Sequence, residues 1–362
     1  MEKLKKYLVV AAMALTLVGI FAAHVILPDG EFSSAERRKL AQLPELTVKD
    51  VFSGDYFDDL EEYLLDQFPL RDGFRRLKAN FQYKVLGLQD NNDLYYVDGH
   101  LSKLDYPLKP TQAQLAINKF NAIIDSHPQM NKAYYSLIPD KNYFLAEANG
   151  YPAMDYAALL QQAEGIHAEY IDIFPCLTID DYYATDSHWR QEKIGKVAQK
   201  LAHAMTGVMD DVSDYRHESR EDFRGVYHGQ SALSLPGETM TILRSDVTDA
   251  ARVFSVEQNK EIPVYNWDDF NNLDPYDVYL SGAEALLTIE NPLQESGRHL
   301  ILFRDSFGSS ISPLLMEYYS HITVVDIRYM ASSLLDEYVD FTDADVLFLY
   351  CTSMFNAGAT LK

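Results

Sequence analysis

Short apolar runs that alternate with segments of helical periodicity constrain this chain's fold more than any other feature. Several of these runs are rich in β-branched and aromatic residues, and they lie at 132–138, 170–174, 277–280, 300–305, 322–326 and 345–350. Parallel strands need crossover helices between them, and strands buried on both faces are apolar throughout. The pattern therefore predicts an α/β fold with a mostly parallel sheet that helices cover on both faces.

Residues 223–266 have a different character. Gly225, Gly229 and the pair Pro236-Gly237 separate short β-rich runs in this segment. Such spacing is typical of antiparallel strands joined by turns. We therefore predict a β-rich insertion at about 223–266 within an α/β domain that spans residues 101–362.

The N-terminus carries a long apolar segment behind a basic flank. Lys3, Lys5 and Lys6 precede the run from Tyr7 to Leu27, which only Thr16, Gly19 and His24 interrupt. A run of about 20 apolar residues can span a bilayer, and the basic flank predicts a cytoplasmic N-terminus with the remainder exported. A cleaved signal peptide is the alternative, but no small-x-small cleavage pattern follows the run. We expect an uncleaved membrane anchor over residues 1–27.

Between the anchor and the α/β domain, residues 28–100 are predicted to form a stalk and an N-terminal helical region. An amphipathic pattern from Phe74 to Leu86 predicts one of its helices, and Gly87 ends it. Asp98-Gly99, between Leu94–Val97 and His100-Leu101, predicts a β-hairpin at the end of this region.

Composition excludes several classes of function. The formal net charge of −23 offers no basic patch for nucleic acid. The two cysteines, Cys176 and Cys351, have no Cys or His at metal-ligand spacing, so they are either two free thiols or one disulfide. We predict neither a metal site nor a cofactor.

A serine at a sharp turn is the first candidate for chemistry. The apolar run Leu300–Phe303 ends in Arg304, Asp305 and Ser306, and small residues and a helical pattern follow. This order predicts strand, turn and helix, which places Ser306 at the ligand-binding edge of the sheet and at a helix N-terminus. Free N–H groups there can stabilise an oxyanion. The alternative is that Asp305 or Ser306 only caps the helix.

A serine nucleophile needs a base, and the sequence offers one pair that fits. Asp186 and His188 stand two residues apart after the predicted 170–174 strand. A carboxylate can fix the imidazole tautomer while the other ring nitrogen faces the serine. The alternative is an Asp186 helix cap with His188 in the first helical turn. A metal site is disfavoured because further ligands are missing.

The segment Thr185–Trp189 resembles the Asp-His-His-Trp signature of the DHHW family of exported proteins. The similarity covers nearly all of the exported part, with landmarks at Glu36–Leu40, Asp66–Arg71, Ile138–Lys141, Arg304–Phe307 and Asp326–Tyr329. This family is in turn similar to the SGNH-hydrolase-like domain of the alginate O-acetylation proteins, in which an Asp-x-His pair precedes the serine. Ser187 departs from the signature, because it replaces the first His and so excludes a role that needs two histidines.

The resemblance implies an SGNH-hydrolase-like three-layer fold. It also implies a catalytic triad in which Ser306 is the nucleophile, His188 the base and Asp186 the group that orients the base.

Five further residues are candidates for contacts with substrate or oxyanion. Arg328 follows the predicted 322–326 strand, and a surface ion pair is its alternative role. Tyr279, Ser281 and Gly282 follow the predicted 277–280 strand, and Lys141 follows the 132–138 strand.

These features together predict a membrane-anchored, extracytoplasmic serine acyl-transfer enzyme. It would transfer or hydrolyse an O-acetyl ester on a cell-envelope or secreted glycan. For a transferase, the resemblance implies a multi-spanning membrane acyltransferase as a partner that supplies the acyl group. The alternative function is a non-catalytic envelope scaffold or glycan-binding protein on the same fold.

Overall fold

The computed structural model describes residues 2–209 and 214–362. Met1 and the side chains of residues 2 and 3, including Lys3 of the basic flank, lie outside this description. The described chain forms two compact units. The first comprises the residues up to Asn92 together with His228–Ser234, and the second comprises Asp93–Tyr227 and Leu235–Lys362.

The division after Asn92 falls earlier than the boundary that we placed after residue 100. The predicted hairpin is the reason, because it belongs to the second unit. Its Leu101 N–H donates to the Ala184 carbonyl at 2.8 Å, and its Tyr95 hydroxyl donates to Asn142 at 2.8 Å.

The first unit is mainly helical. Its elements are α1 Glu2–Ile26, β1 Phe32–Ser33, β2 Arg38–Lys39, α2 Val48–Ser53, α3 Asp55–Asp66 and α4 Arg71–Lys84. Within α1, the segment Leu4–Ile26 is long and apolar enough to cross a membrane. α4 begins three residues before the predicted Phe74, and it ends at Lys84 rather than at Leu86.

An ion pair between partly exposed Arg38 and buried Asp66 holds β2 against the end of α3. Arg38 donates to both carboxylate oxygens of Asp66, at 2.6 and 2.7 Å, and the Ala41 N–H adds a third bond at 2.9 Å. The Arg38 guanidinium is the main cause that lowers the pKa of the Asp66 carboxyl. Asp66 is 5% exposed, so the loss of its partner would leave a buried charge unpaired.

The second unit is built on one large sheet. The elements from Leu94 to Ala250 are β3 Leu94–Val97, β4 His100–Lys103, α5 Pro110–Ser126, β5 Lys132–Ile138, α6 Lys141–Leu145, α7 Tyr156–Ala163, β6 Glu169–Tyr170, α8 Gly195–Thr206, β7 Arg216–Phe223, α9 Val226–Ser231, β8 Glu238–Arg244 and α10 Asp246–Ala250. Those that follow are β9 Arg252–Ser255, β10 Lys260–Ile262, β11 Leu286–Glu290, β12 His299–Arg304, α11 Phe307–Leu315, β13 His321–Val325, α12 Leu335–Tyr338, β14 Asp345–Cys351 and α13 Thr352–Phe355. α9 lies in the β-rich segment and runs across the division between the units.

The large sheet has eight strands in the order β10-β9-β11-β13-β12-β14-β5-β6. The five strands from β13 to β6 are parallel, and β11, β9 and β10 form an antiparallel edge. The prediction of a mostly parallel sheet is therefore confirmed.

Helices cover both faces of this sheet, as expected from strands that are apolar throughout. On one face the strands pack against α8 and α11, through side chains such as Leu201 and Ile311. On the other face they pack against α5, α7, α12 and α13, through side chains such as Phe120 and Leu159. The result is a three-layer α/β domain.

The β-rich segment contains two kinds of strand. β7 and β8 form a separate antiparallel ribbon that begins at Arg216, before the predicted start at residue 223. β9 and β10 join the edge of the large sheet, beside β11.

Two predicted strands are not formed as such. Of 170–174 only Tyr170 is in a strand, because Pro175 lies in a 3₁₀ turn and Asp172 accepts a hydrogen bond from Phe174 N–H. The predicted 277–280 strand is replaced by a 3₁₀ turn at Pro275–Val278, which Asp274 caps, and by a single bridge from Tyr279 to Tyr265; the strand comes later, as β11. Local apolar composition predicted a strand in both places, but side-chain caps and proline determine the backbone conformation there.

Gly308, in the first turn of α11, allows this helix to pack closely on β12. A Cβ at this position would lie 2.4 Å from Arg304 Cβ, and Arg304 is fully buried. We expect Gly308→Ala to lower the free energy of unfolding by about 1–3 kcal/mol, because overpacking forces side chains out of their rotamers. Chemical unfolding of the detergent-solubilised chain measures this change.

Gly195 provides the matched control. It is the first residue of α8, and a Cβ there would meet nothing within 4 Å. Gly195→Ala should change the free energy of unfolding by less than about 1 kcal/mol. Equal effects of the two substitutions would contradict the close-packing explanation for Gly308.

Candidate active site

Ser306 stands where β12 gives way to α11. β12 runs between β13 and β14, parallel to both, so three strand ends meet at this edge of the sheet. The α11 helix begins at the next residue, Phe307, and Ser306 itself is half-buried. The predicted strand, turn and helix are therefore formed.

Asp305 braces this turn and does not face the histidine. Its carboxylate accepts one hydrogen bond from Phe307 N–H at 3.0 Å and another from Cys351 N–H, at the end of β14, at 2.7 Å. Burial is the main cause that raises the pKa of the Asp305 carboxyl. Both oxygens are thus used to fix the strand ends around Ser306.

The serine, histidine and aspartate of the predicted triad come together in one hydrogen-bonded series. Ser306 Oγ lies 2.7 Å from His188 Nε2, and His188 Nδ1 lies 2.6 Å from Asp186 Oδ1. A carboxylate can only accept, so Nδ1 carries the proton that it shares with Asp186. The neutral imidazole then presents Nε2 as an acceptor for the Ser306 hydroxyl.

The Asp186 carboxylate is itself fixed by backbone groups. It is fully buried, and it accepts bonds from His188 N–H at 3.0 Å and from Val226 N–H at 2.7 Å. The loop that carries it does not start a helix. Tyr182 and Trp189 pair across the loop, Tyr183 N–H donates to the His188 carbonyl at 3.1 Å, and helix α8 begins only at Gly195. The helix-cap alternative for Asp186 is therefore not what the structure contains.

Trp189 ties this loop to the helix that follows the serine. Its fully buried indole N–H donates to Ser310 Oγ at 2.8 Å and lies 3.2 Å from the Phe307 carbonyl. Because Ser310 and Phe307 belong to α11, this contact links the position of the His188 loop to that of Ser306.

Tyr276 belongs to the site, although the sequence analysis missed it. Its ring stacks on the His188 imidazole with centroids 3.9 Å apart and planes 10° apart, and its hydroxyl donates to Ser310 Oγ at 2.7 Å. The ring of Phe307 covers the imidazole as well, at 4.8 Å. Nothing local in the sequence distinguishes Tyr276 from the 24 other tyrosines, since its role depends on contacts made far along the chain.

Lys141 supports the loop between Tyr182 and Trp189. We predicted a contact with substrate for it, but its ammonium group binds backbone carbonyls instead. It is only 2% exposed, and its ammonium lies 2.8 Å from the Tyr183 carbonyl, 3.1 Å from that of Ala184 and 3.0 Å from that of Asp186. Three carbonyls match the three donors of an ammonium group. Burial lowers the pKa of Lys141 to about 7, while the charges of Glu238 and Asp186 act in the opposite direction.

Glu238 supports the N–H groups of the same loop. Its carboxylate accepts from Ala184 N–H at 2.6 Å, from Thr185 N–H at 2.7 Å and from the Thr185 hydroxyl at 2.6 Å. Glu238 opens β8, in the β-rich segment. Sequence reasoning had no signal for this role, because the contact joins residues that are distant in the chain.

The other predicted contact residues occupy different surroundings. Tyr279 is fully buried in the core, and its hydroxyl donates to the Thr241 carbonyl at 3.2 Å. Ser281 and Gly282 form a turn in the left-handed region, and the Gly282 carbonyl accepts from buried Arg304 at 3.1 Å. Among the described residues, no hydrogen bond joins these three to Ser306 or His188.

Arg328 follows β13, at the same edge of the sheet as Ser306. Its guanidinium donates to both oxygens of Asp326, at 2.9 and 2.6 Å, and Asp326 is fully buried. These bonds and the charge of Asp326 raise the pKa of Arg328 against the effect of its own burial. Arg328 is thus an ion-paired residue at the strand end, rather than a free cation.

One backbone donor at the site has no protein acceptor. Over 2–209 and 214–362, no carbonyl or side-chain oxygen accepts the Ser306 N–H, which lies directly before the first turn of α11. Helix N-termini offer such N–H groups to anions.

The described residues contain no cluster of three or more His, Cys, Asp or Glu side chains that could hold a metal ion. Cys176 and Cys351 are free thiols in this structure.

Comparison with known proteins finds relatives among solved structures only. No protein-family model and no curated protein matches the chain. A DHHW family protein from Eubacterium siraeum is similar with a TM-score of 0.59 and 20% identity, over 75% of this chain and 94% of that chain. PatB1 of Bacillus cereus is similar with a TM-score of 0.60 and 17% identity, over 75% of this chain and 99% of that chain.

A more distant likeness is to the O-acetyltransferase domain of Pseudomonas putida AlgJ. Its TM-score is 0.43 at 11% identity, over 73% of this chain and 92% of that chain. The chain has a mixed α/β fold that it shares with the DHHW family protein and with PatB1, and the resemblance to the DHHW family is confirmed at the level of the fold.

The lowered pKa of Lys141 predicts a pH dependence of stability. The pKa of about 7 in the folded protein lies below the ordinary value of 10.5, so between these values the unfolded chain binds more protons than the folded chain. The free energy of unfolding that depends on Lys141 therefore rises with pH through this window. We expect the difference between wild type and Lys141→Met to increase from pH 7 to pH 10, as measured by thermal unfolding in detergent.

Lys119→Met is the control, because Lys119 holds an ordinary surface contact to Ser332. Its difference from wild type should not change across the window. A Lys141 difference that stays constant or falls with pH would mean that the three carbonyls keep the ammonium charged.

Proposed function

We propose that this protein is a serine acyl-transfer enzyme, anchored in the membrane, that acts on O-acetyl esters of a cell-envelope or secreted glycan. The observation that carries the proposal is the hydrogen-bonded series Ser306–His188–Asp186, with distances of 2.7 and 2.6 Å. Such a series is the geometric requirement for an activated serine nucleophile. The acetyl group and the glycan come from the resemblance to the DHHW and alginate O-acetylation proteins.

In the first step, Ser306 Oγ attacks the carbonyl carbon of the acetyl ester while His188 Nε2 takes the hydroxyl proton. Asp186 stabilises the imidazolium that forms, because its carboxylate is 2.6 Å from Nδ1. The bond from the acetyl carbon to the donor oxygen then breaks, and His188 returns the proton to that oxygen. The products are an acetyl-serine and the free alcohol of the donor.

In the second step, a sugar hydroxyl or water attacks the acetyl-serine. His188 removes the proton of the attacking hydroxyl and gives it to Ser306 Oγ as the acyl bond breaks. A sugar acceptor gives transfer and water gives hydrolysis, with the same residues in the same roles.

The Ser306 N–H is our proposed oxyanion donor. It has no acceptor among the described residues and precedes α11, whose N-terminal dipole favours negative charge. Lys141 and Glu238 act in this proposal as positioning residues, because they contact the loop and not the reacting atoms.

The triad predicts esterase activity that depends on its three members. With the full chain in detergent and p-nitrophenyl acetate as substrate, Ser306→Ala and His188→Ala should each lower kcat/KM by at least about 10³-fold. Asp186→Asn should lower it by about 10²–10⁴-fold, because the imidazole loses its fixed tautomer.

Ser309→Ala is the matched control for the nucleophile, since Ser309 is a buried serine three residues further along the chain. It should retain the wild-type rate. Unchanged turnover in both Ser306→Ala and His188→Ala would favour the non-catalytic scaffold or glycan-binding alternative.

A covalent probe tests the nucleophile independently of turnover. One of the structures with this fold is Bacillus cereus PatB1 with a sulfonyl adduct. We expect a sulfonyl fluoride to label this chain on the peptide that contains Ser306, with much slower labelling in His188→Ala. Mass spectrometry that finds the label elsewhere, or at the same rate in Ser306→Ala, would rule out an activated Ser306.

For location, we propose a single-pass protein with a cytoplasmic N-terminus and an extracellular C-terminal domain. The apolar helix Leu4–Ile26 supports an anchor, and a signal sequence is compatible with the same helix. The proposed donor is a multi-spanning membrane acyltransferase, as the resemblance implies.

The anchor predicts that the native chain stays in the membrane fraction after carbonate extraction and keeps its N-terminal residues. Protease added to intact cells with the wall removed should digest the C-terminal domain. A chain that begins after residue 23, or that carbonate releases, would identify a signal peptide instead.

A further inference from the structure

An apolar groove of about 740 Å³ lies on the first unit, between the end of α3 and α4. Its apolar wall consists of Leu65, Phe68, Phe74, Leu77 and Phe81, which we call the α3–α4 apolar face. Leu65 and Leu77 are 62% and 65% exposed, and Phe74 and Phe81 are each 49% exposed. Apolar side chains this exposed and this contiguous mark a surface that something covers.

The pattern of α4 suits a helix that lies in a membrane interface. Phe74, Leu77 and Phe81 recur at three- and four-residue spacing, so they share one side of the helix. Lys78 and Lys84 flank this stripe on either side, and their long stems can carry the charges up to the headgroups. Ala79, which is fully buried, lies on the opposite side of the helix from this stripe.

The charge of α4 is opposite to that of the whole chain. The helix sequence RDGFRRLKANFQYK has five basic residues and one acidic residue, whereas the chain carries a net charge of −23. Arg71 and Arg75 are ion-paired with carboxylates of the same unit. Over the described residues, neither Lys78 nor Lys84 has an ion pair. A basic amphipathic helix of this kind is typical of contact with anionic lipid.

Contacts between α1 and the end of α3 determine where the α3–α4 apolar face lies along the axis of α1. His24, in the last turn of α1, has its Nδ1 3.2 Å from the Gln67 carbonyl, and its ring meets that of Tyr63 edge-on at 5.4 Å. The Gln67 side chain accepts from Gly30 N–H at 2.8 Å. Gln67 lies between Leu65 and Phe68, so the α3–α4 apolar face begins where the apolar helix ends.

We propose that the α3–α4 apolar face lies in the headgroup and upper acyl region of an anionic bilayer, the one that α1 crosses. The proposal rests on the membrane anchor proposed above, but not on the acyl-transfer chemistry. The bilayer is favoured over a second copy or a protein helix because the face is continuous with the outer end of α1 and because unpaired lysines flank it. Five of the six α3 carboxylates lie from Asp55 to Glu62, toward the far end of that helix, and Asp66 is paired with Arg38.

Bromolipid quenching in nanodiscs tests the position of the face. The full chain with Phe81→Trp is reconstituted, one copy per disc, in phosphatidylcholine with phosphatidylglycerol, with acyl chains brominated or unbrominated. We expect the fluorescence added by the new tryptophan, above that of Trp189 and Trp267, to be mostly lost in the brominated discs. Arg76→Trp, at an exposed position away from the apolar stripe, should keep its added fluorescence.

Full fluorescence of Phe81→Trp in brominated discs would overturn the proposal, and equal quenching of both reporters would do so as well. Leu77→Trp is the second reporter, to be used if circular dichroism shows that Phe81→Trp has lost its helices. A chain that fails to co-purify with the discs refutes the anchor itself. If such a chain still hydrolyses p-nitrophenyl acetate, the failure of the anchor leaves the acyl-transfer proposal unaffected.

The charge component has its own measurement. Adding Lys78→Gln and Lys84→Gln to Phe81→Trp should reduce the quenching in discs that contain phosphatidylglycerol, with little change in discs of phosphatidylcholine alone. Identical quenching with and without the two lysines would refute the role of anionic lipid.

Discussion

The geometry of the site depends on one short buried loop and on the hydrogen-bond partners of its backbone groups. Between Tyr182 and Trp189 the chain is neither helix nor ladder, so its N–H and carbonyl groups need partners other than those of regular structure. Lys141 supplies three donors to the carbonyls, and Glu238 supplies acceptors to two N–H groups. Two side chains, Lys141 and Glu238, which come from distant parts of the chain, thereby hold the segment that presents Asp186 and His188. Lys141 is buried and Glu238 is partly buried, and each makes several hydrogen bonds to the loop, so the removal of either side chain would leave more than one backbone group without its partner.

The serine side of the site is fixed by an equally specific set of contacts. Asp305 joins the first N–H of α11 to the end of β14, and the Trp189 indole and the Tyr276 hydroxyl both meet at Ser310 Oγ. These contacts connect three segments, which are the loop that carries His188, the 3₁₀ turn before β11 and helix α11, which follows Ser306. The 2.7 Å separation of Ser306 and His188 therefore follows from packing on three segments, and not from the two residues alone.

Local signals in the sequence predicted the mostly parallel sheet, and they singled out Ser306, His188 and Asp186, which form one hydrogen-bonded series in the structure. Their catalytic roles stay a proposal. Strands buried on both faces are apolar throughout, and a serine between a strand and a helix is visible as a change of period at Ser306. Tyr276 and Glu238 leave no such signal, because no local change of pattern marks them and their contacts with the His188 loop form only in the folded chain. The position of Lys141 after a strand marks it as a candidate contact residue, but it does not predict where the side chain points. A lysine at a strand end can point to a ligand or to a loop, and only the packed structure decides between them.

The proposed chemistry depends on how far the protein covers the base, His188, and the nucleophile, Ser306. Tyr276 stacks on His188, Phe307 tilts over it, and His188 is only 7% exposed, so the protein covers most of the base. Ser306 itself is only half-buried. An acetyl-serine there would be attacked by whichever hydroxyl stands next to His188 Nε2. In the proposed reaction, the balance between transfer and hydrolysis would depend on which hydroxyl occupies the space next to Ser306 Oγ and His188 Nε2. A sugar bound in this space would displace the competing water and present its own hydroxyl to the base, so acceptor binding would itself suppress hydrolysis in the proposed reaction.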